Sequence, residues 1–260
     1  MNKKLNRTNA IINILKEKNG ASVKELALTL DVSEMTIRRD LEILKSNNII
    51  TNVYGAAIYN PANNIEKLES FYDIKNEGIR CEKEKIKIGK AAARLISSDD
   101  IIIIDTGTTT EKLAKFIDNN LKISALIYNT NILMALSKKK NINLIFSGGY
   151  FHPNTMMFES EEGISLIKKT RATKVFVSAA GIHENLGITC SNNYEVLTKQ
   201  AIIKSSVKKI LLADSKKFDI VKSSYFAELT DFDVIITDNK ITPRWQKKIT
   251  DLGIELIIAD

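Results

Sequence analysis

The chain has 260 residues, 44% of them hydrophobic and 27% charged, enough to bury a core without disulfides or metals and to form one or two domains at roughly 150 residues each. Three Pro and 11 Gly exclude collagen-like and Pro/Gly-rich disordered chains, and no stretch approaches the ~18 consecutive apolar residues of a membrane span. The balance of 38 Lys/Arg against 31 Asp/Glu, +7 overall, permits an anionic partner without specifying one.

The N-terminus, Met1-Asn2-Lys3-Lys4-Leu5, has no apolar run behind it, so no secretory signal is expected. From Leu5 to Asn48 the apolar spacing is helical. A first helix is predicted from Leu5 to Lys18, with Ile11, Ile14 and Leu15 on one face and Asn19-Gly20 ending it. Ser22-Val23-Lys24-Glu25 is a capping box that opens a short second helix running to about Leu30. Asp31-Val32 makes a tight turn, and Ser33 caps a third helix to about Ser46. Two short helices joined this way, the second basic, form a candidate helix-turn-helix.

At ~100° per residue, Ile37, Leu41 and Leu44 form one stripe of the third helix. Met35, Arg39, Glu42 and Ser46 lie opposite, with Thr36 and Arg38 on the flanks. A recognition helix presents its N-terminal residues to base edges, which places Met35, Thr36, Arg38 and Arg39 to meet double-stranded DNA. Arg38 has Glu34 and Glu42 four residues away on either side and can be satisfied within its own helix; Arg39 has no acidic partner at that spacing. On angle alone, solvated surface arginines are an equally good reading.

The string Ser22-Val23-Lys24-Glu25-Leu26-Ala27, followed by Val32-Ser33-Glu34-Met35-Thr36-Ile37-Arg38-Arg39-Asp40-Leu41, resembles the helix-turn-helix signature of DeoR-type (DeoR/GlpR) bacterial transcriptional regulators. The likeness runs from about Arg7 to Ala57. It implies that Ser33, Met35, Thr36, Arg38 and Arg39 face DNA in the major groove. It also implies that Ile49–Ile58 is the wing of a winged helix, with Tyr54 at the DNA. The chain departs from the family at Asn52, where Arg is usual, at Ala56, where a second Gly is usual, and at Tyr54, where His is common.

Asn60-Pro61-Ala62-Asn63-Asn64 is a polar breaker cluster. We expect a DNA-binding domain over 1–58, a linker over 59–75 and a second domain over 76–260, entered by a charged helical stretch from Ile65 to about Ile96. Seven apolar runs follow: Ile101–Ile104, Ile123–Tyr128, Ile142–Phe146, Val175–Ser178, Ile210–Ala213, Val234–Thr237 and Ile254–Ala259. They are apolar throughout, as strands covered on both faces are, and helical patterns separate most of them. This predicts an α/β domain around a mostly parallel sheet.

The first of these strands ends in Asp105-Thr106-Gly107-Thr108-Thr109-Thr110 and a helical pattern starts at once. Free backbone N–H groups, the helix dipole and hydroxyls there suit a phosphate; an ordinary Thr-rich cap is the plainer alternative. Asn129, Ser147-Gly148-Gly149, Ser178-Ala179-Ala180-Gly181, Asp214 and Asp238 follow other strands. In a parallel sheet these ends share one edge, where ligands bind; ordinary turns and caps account for some, Asp238 in particular.

This half resembles the DeoR sensor domain in Asp105–Thr109, Ser147–Gly149, Ser178–Ile182, Gly187–Thr189, Glu195 with Lys199, and Asp214–Phe218. That domain is similar in fold to ribose-5-phosphate isomerase and glucosamine-6-phosphate deaminase. The resemblance implies a phosphorylated sugar effector. Thr106, Gly107, Thr108 and Thr109 would hold its phosphate. Asp105, Gly148, Gly149, Gly181, Glu195 and Lys217 would line the sugar side, with Asn129 on the same edge. Glu195 and Lys199, four apart, also fit a surface ion pair. Ser160 stands where the family has Gly.

His152 and His183 are not in ligand spacing, and Cys81 and Cys190 lie far apart, so no metal, cofactor or disulfide is expected. The expectation is a cytoplasmic, dimeric or larger homo-oligomeric regulator, a repressor and not an enzyme. The alternative is a sugar-phosphate isomerase- or deaminase-like enzyme with an appended DNA-binding domain.

Overall fold

The computed structural model describes residues 3–18, 21–46, 50–53, 56–59 and 73–260. The chain divides into two compact units, Met1–Phe71 and Tyr72–Asp260.

The first unit contains α1 (Lys3–Lys18), β1 (Ala21–Ser22), α2 (Val23–Leu30), α3 (Glu34–Ser46), β2 (Ile50–Val53) and β3 (Ala56–Tyr59). Ile11, Ile12, Leu15, Leu26, Ile37, Leu41, Leu44 and Ile50 bury together as its core. The capping box forms as expected: Ser22 Oγ accepts from Glu25 N, and the Glu25 carboxylate accepts from Ser22 N at 2.8 Å. Asp31 closes α2 in the left-handed region at φ 50°. Strands β2 and β3 form the antiparallel hairpin expected of the wing, with Asn52 opposite Ala57. The two-residue β1 adds to β3, a pairing too short to leave a sequence period. Tyr54, Gly55 and most of the expected linker lie outside the described residues.

The second unit opens with α4 (Ile74–Ile79) and α5 (Glu82–Ala93). Then come β4 (Ile101–Ile104), α6 (Thr108–Phe116), β5 (Ile123–Ile127), α7 (Thr130–Leu136), β6 (Ile142–Phe146), β7 (Tyr150–His152), β8 (Met157–Glu159), α8 (Glu161–Lys169) and β9 (Ala172–Ser178). The chain continues through β10 (Gly181–His183), β11 (Gly187–Cys190), α9 (Val196–Lys204), β12 (Ser206–Leu212), β13 (Ser224–Ala227), β14 (Val234–Asp238), α10 (Pro243–Asp251) and β15 (Glu255–Ala259).

All seven apolar runs become strands of one seven-stranded sheet, in the order β15-β14-β12-β9-β4-β5-β6. Every neighbouring pair is parallel. Alternate residues feed opposite faces, which is why both must be apolar. Ile103, Val175, Val177, Leu211 and Ile235 pack with Ile202 of α9 and Trp245 and Ile249 of α10. Ile102, Ile104, Phe176, Ile210 and Ile236 pack with Ile88 of α5, Leu113 of α6 and Leu136 of α7.

From β4 the chain steps outward to β5 and β6, then returns to β4's other side with β9. The order therefore reverses between β4 and β9, and in open α/β sheets ligands bind at the carboxyl ends of the strands at such a reversal. Two small antiparallel elements stand at the loops: the hairpin β7–β8 and the sheet β10-β11-β13. Among the described residues no helix is long and apolar enough to cross a membrane.

Candidate functional site

On α3 the inward stripe is Ile37, Leu41 and Leu44, as the angle predicts. Met35 is 60% exposed, and Arg38 and Arg39 are exposed. Arg38 lies 3.7 Å from Glu34 with both side chains in solvent, a pair of little energetic value. Arg39 has no hydrogen bond or ion pair among the described residues. Ser33 Oγ accepts from Thr36 N at 3.2 Å and lies 2.9 Å from Thr36 Oγ1, so the two hydroxyls first serve as the helix cap. Asp40, next to the arginines, turns inward instead: it is 2% exposed and accepts from Arg7 Nε at 2.6 Å and Nη2 at 3.3 Å.

At the carboxyl edge of the large sheet, Asp105 is wholly buried just beyond β4. Its carboxylate accepts from the Tyr128 hydroxyl, from Ser178 N at 2.8 Å and from Lys199 Nζ at 2.5 Å. Lys199, only 2% exposed, also donates to Ser178 O at 3.1 Å and lies 3.8 Å from Glu195. Glu195 accepts from Asn192 Nδ2 at 2.8 Å. The Glu195–Lys199 spacing is thus buried, and its centre is a third residue, Asp105, 94 positions away. Burial pulls the Lys199 ammonium down, but Asp105 and Glu195 outweigh it and leave its pKa raised. Burial pushes the Glu195 carboxyl up, against the pull of Lys199. Burial and then the Asp105 charge hold the Tyr128 phenol well above its usual range. Burial also pushes Cys190 up to about 12, an inert thiol.

Past Asp105, Thr106 Oγ1 donates to Thr155 O at 3.0 Å. Gly107 stands at φ 152°, where a Cβ would lie 2.4 Å from Ser178 Oγ, so glycine is required. Thr110 Oγ1 donates to Gly107 O at 3.0 Å, and Thr108 and Thr109 are buried in the first turn of α6. The first N–H groups of an α-helix have no partner inside it, and Gly107 offers no side chain to cap them. The turn is covered: a Cβ on Gly78 of α4 would come 3.8 Å from Thr108 Cγ2.

Asn129, beyond β5, is 0% exposed, yet neither atom of its amide has a hydrogen-bond partner. Leaving such a group unpaired costs about 1–3 kcal/mol, so its presence needs an explanation.

Gly148 and Gly149 are exposed beyond β6. A Cβ on Gly148 would meet nothing, whereas on Gly149, at φ 141°, it would lie 2.2 Å from Glu159 O. Ser160 caps α8, accepting from Gly163 N at 2.9 Å, and donates to Gly148 O at 3.0 Å. The departure from the family's Gly thus ties the Gly148 loop down. Gly181 is needed for backbone packing, since a Cβ there would lie 2.5 Å from Ile220 O. Asp238 accepts from Ser215 N at 2.6 Å and Lys240 N at 3.0 Å, a turn cap. Lys217 donates to Glu77 of α4.

Sequence reasoning did not single out Tyr128, Glu77 or Lys85, and gave Lys199 no partner across the fold. A groove at the opposite, amino edge, lined by Lys122, Ser124, Lys140 and Asn143, contains none of these groups. Among the described residues no three His, Cys, Asp or Glu are grouped to hold a metal ion.

Residues 7–62 match the DeoR-like helix-turn-helix domain, and residues 80–239 match the DeoR C terminal sensor domain. The chain belongs to the DeoR family of transcriptional regulators. It is 33% identical over 247 residues to the lactose phosphotransferase system repressor of Lactococcus lactis, covering 94% of each chain. It is 30% identical to the deoxyribose operon repressor of Escherichia coli, covering 89% of each. Ribose 5-phosphate isomerase of Methanocaldococcus jannaschii overlaps at TM-score 0.40 and 14% identity, over 53% of this chain and 54% of that one.

Proposed function

We propose that this protein represses a carbohydrate-metabolism operon and that a phosphorylated sugar, bound at the carboxyl edge of the large sheet, controls its grip on operator DNA. Residues 1–58 bind DNA, 59–75 link, and 76–260 sense. Met35, Thr36, Arg38 and Arg39 meet the duplex, Arg39 first because nothing among the described residues engages it. Ser33 supports them as the cap, and the expected contact from Tyr54 completes the set. The protein acts in the cytoplasm as a homodimer or larger homo-oligomer, because helix-turn-helix readers engage paired half-sites.

The observation that carries the sensor reading is Asn129: a wholly buried amide with both polar atoms unpaired, on the edge shared with the uncapped first turn of α6. Backbone N–H groups at Gly107, Thr108 and Thr109 suit a phosphate. An amide that offers donor and acceptor together suits a sugar hydroxyl. Asp105 and Glu195, joined through Lys199, form the floor behind Thr106; Gly148, Gly149, Gly181 and Lys217 shape the rim. Both relatives are named for control of sugar systems, which supports the ligand class.

The test is a mobility-shift assay on DNA upstream of the protein's own gene, with phosphorylated sugars added. Release by one of them is expected. Equal retardation at every phosphate, and of unrelated DNA, overturns the reading. The enzyme alternative draws on the buried titratable cluster, but Asp105 and Lys199 are engaged with each other, and turnover of ribose 5-phosphate or glucosamine 6-phosphate is not expected.

A further inference from the structure

The cover over the α6 turn is itself built around an anion. Helix α4 is six residues, Ile-Lys-Asn-Glu-Gly-Ile, too short and too glycine-weakened to persist alone. Buried Ile74 anchors it, with its N–H donating to Asn154 O at 2.8 Å. Glu77 anchors it a second time. Its carboxylate accepts from Lys217 Nζ and lies 3.7 Å from Lys85 Nζ, and Lys85 also donates to Glu77 O at 2.6 Å. Arg80 comes within 3.9 Å. Lys85 is buried, and Lys217 belongs to the turn after β12 on the ligand edge. The next residue, Gly78, is the one that faces Thr108 at the first turn of α6. Cation cluster and uncapped helix turn are therefore neighbours beneath one short helix.

We propose that Glu77 is an internal substitute for the ligand's anionic group. In the ligand-free protein it holds Lys217 and keeps α4 over the α6 turn; an incoming phosphate monoester takes Lys217 and releases α4. The proposal rests on the reading of the α6 turn as the phosphate subsite, and it brings Lys217 from the rim of the site to that phosphate. A phosphate brings more charge and more acceptor oxygens than a carboxylate, so it can win the lysine. Thr106–Thr110 are buried, so entry requires the cover to move. Helix α4 is also the first described element after residues 60–72. Its release is the point at which ligand occupancy reaches the chain leading from the DNA-binding unit.

Hydrogen exchange on the full-length protein separates the two readings. Protection of amides 107–110 reports the subsite, and exchange at 74–79 reports the cover. Inorganic phosphate and ribose 5-phosphate are the probes. In the wild type, phosphate is expected to protect 107–110 and speed exchange at 74–79. In Glu77→Gln, 74–79 exchange fast without ligand, and phosphate binds about tenfold tighter because a competing closed state is gone. Lys217→Gln, which leaves Glu77 in place, is expected to loosen 74–79 as well, and checks the cover should the first variant not fold. Protection at 107–110 with no change at 74–79 overturns the latch and leaves the subsite standing. No protection by either probe overturns the subsite, and the latch with it. Slow exchange at 74–79 in both variants overturns the latch whatever the ligand does.

Discussion

Arg7 of α1 and Asp40 of α3 form a two-pronged ion pair, with Nε at 2.6 Å and Nη2 at 3.3 Å, that ties the first helix to the recognition helix. Asp40 sits beside Arg39 in sequence, yet its carboxylate points into the module. The acid of the Arg-Arg-Asp string is spent inside the module, bracing α3 against α1.

Asp40→Ala should therefore destabilise the N-terminal module by about 2 kcal/mol, less than the ~3–5 of a fully buried pair because Arg7 is partly wet. Urea unfolding of the full chain, followed by a probe in the first unit, measures it. An unchanged midpoint would show that the pair contributes nothing.

Arg39→Ala should weaken operator binding by about 1–3 kcal/mol while thermal stability stays constant. Arg38→Ala should cost less, since Glu34 already engages that guanidinium. Titrations at two salt concentrations distinguish a base contact from a phosphate contact.

Lys199→Met leaves the buried Asp105 carboxyl without its cation, a loss of about 3–5 kcal/mol. The sensor unit should unfold at markedly lower temperature, and placing Arg at 199 should recover little, because a planar guanidinium is larger than the ammonium this buried site encloses.

Asn129→Leu carries the opposite signature. Removing an unpaired buried amide should leave stability unchanged or raise it by up to about 1 kcal/mol, while the response to sugar phosphates disappears. Thermal shift with and without ligand reads both at once, and a large loss of stability would assign Asn129 to the scaffold.

Glu195 supplies a pH test. Its folded pKa is raised by burial above the ordinary 4.5, so the folded state holds a proton that the unfolded chain releases. Stability from this group is full below pH 4.5 and falls as pH rises through the folded pKa. Glu195→Gln should remove that slope; equal slopes in both proteins would contradict the assignment.

Much of this was legible because burial on both faces of a parallel sheet demands uninterrupted apolar runs. Ile101–Ile104 and its six counterparts carried the whole large sheet, and Ser22 with Glu25 marked the start of α2. The short strands β7, β8, β10, β11 and β13 have three or four residues each, too few for a period. Lys199 was harder still: helical spacing pairs it with Glu195, whereas its strongest partner lies 94 positions away. Glu77 and Lys85 fall within the charged helical stretch with nothing in the sequence to set them apart; only the fold brings Lys217 to Glu77. Gly149 and Gly181 stood out as glycines; what the sequence did not show is that Glu159 O and Ile220 O crowd the place a Cβ would take.

The pairing of β4 with β9, Ile102 against Lys174, bears on how this chain comes off the ribosome. Strand β4 waits for a neighbour some seventy residues downstream, while the winged helix can close early from local contacts. A nascent chain halted before residue 172 would leave an isoleucine-rich edge with its backbone unpaired, a template for aggregation. Expression trials that truncate within that interval should yield insoluble product, with the first unit alone remaining in solution.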